Sequence, residues 1–512
     1  MSNTVTRTQI QLTLSHCIKH WSVYRPDIPA LVTDDELISY SQLQRYIDAC
    51  RIGIQQLHLP RQSTVGVLIE NKWRFVAGVV AGLSEACTPV LLNLSAPQSV
   101  IKSMITDAGC TALITDNKEG LVPPFRFNVP TLKFPENVDN VGCFANTSDL
   151  MTRYVDDAWG IIYSSGTTGI PKGIVRSDFS MLNEMLGWCL ELPITRESVA
   201  MIGRPVYYTG GFVLTASTLF VGGTVVLPSE WSLDSYRKFC DLYPIDFLFL
   251  LPDQVLELVS RKAVTSESWP HPRRILTMGA PINPDLKSSV CEVIGCQYIE
   301  SWGNSEGLGT VTEANDVIIR PRSIGRPFLT DDLFIIDEFG QEVPTGSVGR
   351  IAGRADSTLT EYRNRDDLNQ NLFQNGAVIS EDLGFVDSDG YFYVCGRVTQ
   401  RIMRNGIPVF GTDIESVIRD LSLVRDVAIV GIPDSHEGEV PVAALVLEGR
   451  AVVSSDEIIE TLNAALSPAH RISGVLIYNT LPRNAAGKID YPSIKGKYLD
   501  RVDGKSSDGE AV

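Results

Sequence analysis

An apolar run, Ala158–Tyr163 (AWGIIY), leads straight into residues 163–173, which read YSSGTTGIPKG. The run reads as a strand that delivers the loop. Within the loop, Gly166 and Gly169 let the backbone bend closely around an anion. Ser164, Ser165, Thr167 and Thr168 supply small donors, and Lys172 adds one positive charge. Many small donors, close backbone approach and a lysine are what a phosphate requires. The ending Pro171-Lys172-Gly173 sets the stretch apart from a Walker A loop, which closes on Gly-Lys-Ser/Thr. The bland alternative is a surface turn, yet a plain turn rarely needs so many specialised residues.

The flanking sequence alternates strand and helix patterns. Helical residues surround a short hairpin at Ala30–Ser39 in the N-terminal region. A strand at Thr64–Ile69, a helix at Trp73–Ser84 and a strand at Thr88–Leu92 form one βαβ unit. Pro97–Ala108 and Thr111–Thr115 extend it. Residues 117–150 read as irregular. Beyond the loop, helices at Phe212–Phe220 and Ser232–Leu242 alternate with strands at Thr224–Leu227 and Asp246–Leu251. This pattern predicts an α/β fold with doubly wound parallel sheets. From about Ile318 the texture changes to short strands and turns, which predicts a small β-rich subdomain. After Gly396-Arg397 the order Thr412–Leu421 helix, Val424–Ile432 strand, Val440–Leu447 strand, Ser455–Leu466 helix predicts a separate α+β domain. The expected organisation is therefore an N-terminal domain over 1–396, a connection at 397–401, a C-terminal domain over 402–500 and a disordered tail over 501–512.

The 512 residues carry a net charge of −17, which argues against nucleic acid and anionic membrane as general partners. The longest apolar stretches, such as Phe75–Leu83, are broken by glycine and far too short to span a bilayer. The N-terminus has no apolar core of signal-peptide type. The ten cysteines include no CxxC pair, so a reducing, cytoplasmic setting is the simplest fit. His16 and His20 stand at helical i,i+4 spacing but lack a third ligand, so zinc is not expected there.

Other segments carry chemistry. Residues 301–307 read SWGNSEG. The Glu306 carboxylate suits Mg²⁺ beside phosphates, because magnesium takes one or two protein oxygens plus phosphate oxygens. Trp302 is a base-stacking candidate or a buried loop tryptophan. In SEDLG, Asp382 is either an acceptor for paired ribose hydroxyls or a solvated loop residue. Arg397 reads equally as a sugar or phosphate ligand and as a surface arginine. In PRNAAGKIDY, Lys488 is presented by a Gly-containing hairpin as a mobile point charge, or is a turn lysine. There is no GxSxG elbow and no GxGxxG.

In this order and at these separations, the five segments resemble the acyl-adenylate-forming superfamily. It includes acyl- and aryl-CoA ligases, adenylation domains of peptide synthetases, and luciferases. The resemblance spans about Tyr40 to Lys488. It implies a large N-terminal domain and a small, mobile C-terminal lid joined after Gly396-Arg397. It further implies that a carboxylate attacks the α-phosphate of ATP, releases pyrophosphate, and passes as acyl-adenylate to a nucleophile. Under it, residues 164–173 hold the β- and γ-phosphates, Glu306 binds Mg²⁺ and Ser305 lies near the α-phosphate. Gly279, Ala280, Pro281 and Trp302 flank adenine. Asp382 and Arg397 hold the ribose, and Lys488 bridges carboxylate and α-phosphate. Some positions depart from the pattern. Thr399 stands where most members carry Asp or Lys at the hinge, and Met403 stands where many carry lysine. Ser380-Glu381-Asp382 replaces the usual Thr-Gly-Asp.

Amino-acid-activating relatives place an Asp near the helix that follows residues 200–206, where it pairs with the substrate ammonium. Here the stretch is RPVYYTGGFVLT, with Tyr208 at that position. A buried ammonium without a counter-charge is costly, so the expected substrate is a small carboxylic acid without an α-amino group. The stretch resembles the PLFHxGG form of acyl- and aryl-CoA ligases. Tyr207, Tyr208, Gly210 and Gly211 suggest a flat or cyclic apolar acid, although the tyrosines read equally as core. The acceptor stays open between a thiol, of CoA or a carrier protein, and an amino acid, as in ligases resembling coronafacic acid ligase. A member that only binds nucleotide is the non-enzymatic alternative. Lys172, Glu306, Asp382 and Lys488 argue against it.

Overall fold

The computed structural model describes residues 7–116, 129–138, 150–164, 171–260, 273–279, 282, 284–448, 454–483 and 489–502. The chain divides into two compact units. One holds Met1–Leu333 and Gly353–Val378; the other holds Phe334–Ala352 and Ile379–Val512.

The first unit is built on two large sheets. The order of the seven-stranded sheet is Glu361–Tyr362, Lys172–Ser177, Ala158–Ser164, Thr88–Leu91, Thr64–Leu68, Ala112–Thr115, Thr131–Lys133. Its last five strands are parallel, and Lys172–Ser177 runs antiparallel to both of its neighbours, Ala158–Ser164 and Glu361–Tyr362. The nine-stranded sheet runs Arg326–Pro327, Gly309–Val311, Gln297–Gly303, Arg274–Met278, Phe247–Leu250, Val199–Ile202, Thr224–Val226, Pro29–Val32, Leu37–Ser39. The strands from Gln297–Gly303 to Pro29–Val32 are parallel, with antiparallel strands at both edges. The expected parallel sheets are thus mixed at their margins.

Strands such as Phe247–Leu250 (FLFL) and Val199–Ile202 (VAMI) are buried at every position, because helices cover parallel sheets on both faces. Helix Lys72–Ser84 starts where the Asn71 side chain accepts from the Trp73 and Arg74 N–H groups. Trp73 and Phe75–Ser84 are all buried, so this helix is apolar around its circumference and lies inside the unit. Helix Thr209–Val221 behaves alike and ends at Gly222 in the left-handed region. One core joins these helices to strands of both sheets, including Val67, Leu91, Ile202 and Phe249. Each such side chain removed from water contributes about 1.5–3 kcal/mol before entropy is counted.

In the second unit, Asp382–Val386, the end of strand Ala377–Val386, pairs antiparallel with Phe392–Arg397. A five-stranded sheet has the order Ile407–Phe410, Arg401–Arg404, Gly438–Leu447, Val424–Asp434, and Gly474–Ile477 pairs with Gly438–Leu447. Helices Gly411–Arg419, Ser455–Ala465 and Tyr491–Val502 accompany it. Ser454 and Glu457 form a reciprocal capping box that starts the second of these.

Two expectations change. Within 117–150, read as irregular, Thr131–Lys133 forms a parallel edge strand on Ala112–Thr115. Three half-exposed residues carry no periodicity that would reveal a strand. Helix Tyr491–Val502 takes in Arg501 and Val502, expected to begin a disordered tail. Residues 503–512 lie outside the described residues. Among the described residues, no helix is long and apolar enough to cross a membrane.

Candidate active site

Parallel strands deliver their carboxyl ends to one edge of a sheet, which is where open α/β sheets bind ligands. In the nine-stranded sheet the register aligns Ile202 with Phe249, Leu250 with Thr277, and Met278 with Ser301. Extending that register, Arg204, Leu251, Met278 and Ser301 stand abreast on four adjacent strands, and Gly279 and Trp302 follow one residue on. Gly279 and Trp302, expected on either side of adenine, occupy neighbouring strand ends. Ala280 and Pro281 lie outside the described residues.

The stretch expected to hold phosphate is flanked by two paired strands. Ser164 ends Ala158–Ser164 and stands opposite Lys172, the first residue of Lys172–Ser177. The expected strand-then-loop is thus a hairpin whose second strand returns antiparallel. Ser165, Gly166, Thr167, Thr168 and Gly169 lie outside the described residues. The stem is anchored firmly. The Tyr163 hydroxyl is 2.6 Å from Asp107 Oδ2 and 2.9 Å from the Met104 carbonyl. The Arg363 N–H donates to the Gly173 carbonyl at 2.7 Å.

One side chain that sequence reading missed joins Lys172 to Glu306. Lys172 Nζ lies 5.5 Å from the ring centroid of Tyr362, and the Tyr362 hydroxyl donates to Glu306 Oε1 at 2.5 Å. Lys172 and Glu306 are far apart in sequence, and the edge strand Glu361–Tyr362 brings them to one ring. Nothing in the run TEYRNR marks the tyrosine, because its role depends on that strand pairing.

The Glu306 turn is held by its neighbours. Gly307 has φ +100°, and a Cβ there would lie 2.1 Å from the Ser357 carbonyl oxygen. Only glycine meets both demands. The Ser357 hydroxyl donates to the Gly307 carbonyl at 2.8 Å, and the Leu359 N–H donates to the Glu306 carbonyl at 2.8 Å. Asn304 Oδ1 accepts from the Leu308 N–H at 3.0 Å. Its Nδ2 is buried with no partner among the described residues. Ser305 is half-buried on the same turn. A hard carboxylate, a lysine and an orphaned amide donor fit magnesium and a polyphosphate. Glu306 would hold the cation, with Lys172 and Asn304 toward phosphate oxygens.

The expected substrate residues gather at the start of helix Thr209–Val221. Tyr207 and Tyr208 pack edge to face, with centroids 4.8 Å apart. Asn93 Nδ2 lies 3.5 Å from the Tyr208 hydroxyl. Burial pushes the Tyr208 phenol up to about 12, so it stays protonated and neutral at physiological pH. The space a Cβ at Gly210 would enter is bounded by Met278 Sδ at 3.3 Å and Phe249 Cζ at 3.6 Å. Gly211 serves the backbone instead. A Cβ there would lie 2.3 Å from the Pro205 carbonyl oxygen, so the glycine permits the tight entry into the helix. Sequence reading also passed over Arg204. Its guanidinium lies 5.8 Å from the Phe249 centroid, and its Nη1 donates to the Met278 carbonyl at 3.3 Å. Burial holds its pKa below the usual arginine value. Arg204 and Tyr208 lie close enough to influence each other electrostatically.

In the second unit Asp382 and Arg397 stand opposite each other on paired strands, and Arg397 Nε donates to Asp382 Oδ1 at 2.9 Å. Lys488 lies outside the described residues, within 484–488, which a bridge between Arg483 and Ile489 brackets. Just beyond it, the Tyr491 hydroxyl is 3.4 Å from the buried Glu415.

Two family models match the chain: that of AMP-binding enzymes over residues 18–363, and that of the AMP-binding enzyme C-terminal domain over 413–488. A 2-succinylbenzoate–CoA ligase of Bacillus cereus is 24% identical over 466 residues, covering 91% of this chain and 94% of that protein. The o-succinylbenzoate CoA synthetase MenE of Bacillus subtilis has been solved with the acyl-adenylate OSB-AMP. It superposes with a TM-score of 0.83 at 22% identity, covering 95% of this chain and 98% of that one. The amide bond synthetase McbA of Marinactinospora thermotolerans superposes with a TM-score of 0.84 at 22% identity, covering 95% and 99%.

Proposed function

The chain belongs to the AMP-binding enzyme family, and from that membership we propose that it is an ATP-dependent, AMP-forming carboxylate ligase. The observation that carries the reading is the meeting of Lys172 and Glu306 at Tyr362. A carboxylate oxygen of the acid attacks the α-phosphorus of ATP. The bond from that phosphorus to the bridging oxygen breaks, and pyrophosphate leaves. A thiol of CoA or a carrier protein then attacks the carbonyl carbon of the acyl-adenylate, and AMP leaves.

In this reading residues 164–169 and Lys172 cradle the β- and γ-phosphates. Ser305 lies near the α-phosphate. Bound magnesium supplies charge neutralisation on the phosphate oxygens, with Glu306 as its protein ligand. Gly279, Ala280, Pro281 and Trp302 flank adenine, and Asp382 with Arg397 receives the ribose. Lys488 offsets the repulsion between the two anions as they meet. The segment 397–401 serves as hinge between a domain over 1–396 and a lid over 402–500. The nine described cysteines are free thiols, which suits a reducing compartment such as the cytoplasm.

The pocket favours a flat acid without an α-amino group. Tyr207, Tyr208, Phe249 and Met278 supply apolar and aromatic surface, and a substrate ammonium would meet the Arg204 guanidinium. 2-Succinylbenzoate, named for the B. cereus relative, is an aromatic acid of this type. One observation favours a second acceptor class: Met403 stands where many thiol ligases carry lysine, and McbA is an amide bond synthetase. Direct coupling of the adenylate to an amino acid is that reading.

The test is pyrophosphate release over a panel of acids, with CoA, a carrier protein and amino acids as acceptors. Release with an aromatic or cyclic acid, completed by a thiol, supports the main reading. Turnover completed only by an amine moves it to amide synthesis. Fastest exchange with ordinary α-amino acids would overturn the pocket assignment.

A further inference from the structure

Tyr362 is buried, and its backbone is held from several sides. Ile174 pairs with it across the sheet edge. Its N–H donates to Asn369 Oδ1 and its carbonyl accepts from Asn369 Nδ2, both at 2.8 Å. The next residue, Arg363, donates to Gly173 at 2.7 Å. The phenol therefore stands at a fixed place between Lys172 and the Glu306 turn. Among the described residues, Lys172 and Glu306 both meet this ring and not each other. Opposite charges on long side chains otherwise tend to pair, and a Lys172–Glu306 pair would occupy both groups that a metal–nucleotide needs.

We propose that Tyr362 is a positioning residue that prepares the site for metal-bound nucleotide. Its hydroxyl fixes the Glu306 carboxylate through one oxygen, leaving the other to accept a divalent cation. A phenol–carboxylate bond is charge-assisted and strong enough to select one rotamer of a half-buried glutamate. Its ring holds Lys172 by a cation–π contact and keeps it from the carboxylate. The proposal rests on the reading that Glu306 is the magnesium ligand and Lys172 a phosphate ligand.

Tyr362→Phe keeps the ring and removes only the hydroxyl. Binding is read without the acid substrate, so no turnover occurs: Mn²⁺ by electron paramagnetic resonance with α,β-methylene ATP, and the metal-free analogue by calorimetry. Tyr362→Phe is expected to weaken Mn²⁺ binding about three- to ten-fold, the cost of ordering one freed side chain. Metal-free analogue binding should stay within about two-fold, less than half of a tenfold step in free energy. Tyr362→Ala should weaken both, because Lys172 is then released onto Glu306. Glu306→Gln is the control. If Glu306→Gln weakens Mn²⁺ binding and Tyr362→Phe does not, the positioning role is wrong. If Glu306→Gln binds Mn²⁺ like the unaltered protein, the metal-ligand reading itself falls. An equal loss of metal-free and metal-bound affinity in Tyr362→Phe would mark a merely structural tyrosine and overturn the proposal. Should Tyr362→Ala fail to fold, the Phe variant decides alone.

Discussion

Arg397 Nε donates to Asp382 Oδ1 across a pair of antiparallel strands on which the two residues are direct partners. The register of the strands and this hydrogen bond fix the carboxylate and the guanidinium relative to each other. The two residues read from sequence as separate ribose contacts are thus one hydrogen-bonded unit.

Asp382→Ala is expected to weaken ATP binding on the order of 10- to 100-fold, the worth of losing hydrogen bonds to a charged acceptor. If Arg397 acts through Asp382, Asp382→Ala/Arg397→Ala should bind ATP no worse than the single Asp382 variant. Calorimetric titration with ATP measures both. Unchanged affinity in Asp382→Ala would remove the ribose assignment.

Gly307→Ala should destabilise the first unit and disturb the Glu306 turn together. At φ +100° a methyl group is strained, and it would also press on the Ser357 carbonyl. The strain alone costs about 1–3 kcal/mol. A lower melting temperature with impaired Mn²⁺ binding is the expected pair of results. A variant with unaltered stability would show that the turn relaxes freely.

Lys488→Ala should reduce adenylate formation on the order of 10²–10³-fold, the typical loss of one preorganised charge contact in a transition state. ATP binding should stay within several-fold, because the lysine's effect arises as the carboxylate approaches. Isotope exchange between pyrophosphate and ATP reports the first quantity. Normal exchange in this variant would return Lys488 to an ordinary turn lysine.

Glu415 sets a pH dependence in the second unit. It accepts the Ile429 N–H at 2.9 Å, and burial pushes its carboxyl up to about 7, only partly offset by Arg419. A carboxyl whose folded pKa is raised favours folding below its unfolded value near 4.5, and that contribution is lost as pH rises through 7. Glu415→Gln keeps an acceptor for Ile429 but cannot ionise. Relative to the unaltered protein it should gain about 2–3 kcal/mol between pH 5 and pH 8. Denaturation midpoints of both proteins at the two pH values measure the gain. A difference independent of pH would show that Glu415 titrates normally.

Much of the site was readable in the chain. The strand before the phosphate loop, the SWGNSEG turn and the SEDLG hairpin all carry local signals, in glycine placement, small donors and apolar runs. Gly279 and Trp302 were legible as candidates. Their arrival at neighbouring strand ends follows from the register of Met278 with Ser301. Arg204, Asn93, Asn304 and Tyr362 were passed over, because each is an ordinary residue in its own segment. Arg204 differs only in being buried beside Phe249, and Asn304 in having a buried amide with no partner among the described residues.

By itself, the sequence determined the order of elements and the kind of chemistry. Periodicity, glycine and proline act over a few residues, and a phosphate loop needs only local backbone freedom. Tertiary structure alone decided which side chains meet. It returned the loop's second strand to the sheet edge, and there paired Ile174 with Tyr362. That pairing places one phenol against a lysine and a glutamate that are remote in the chain. Contacts of this kind depend on strand register, which is set by burial across the whole sheet, and no short stretch of residues contains it.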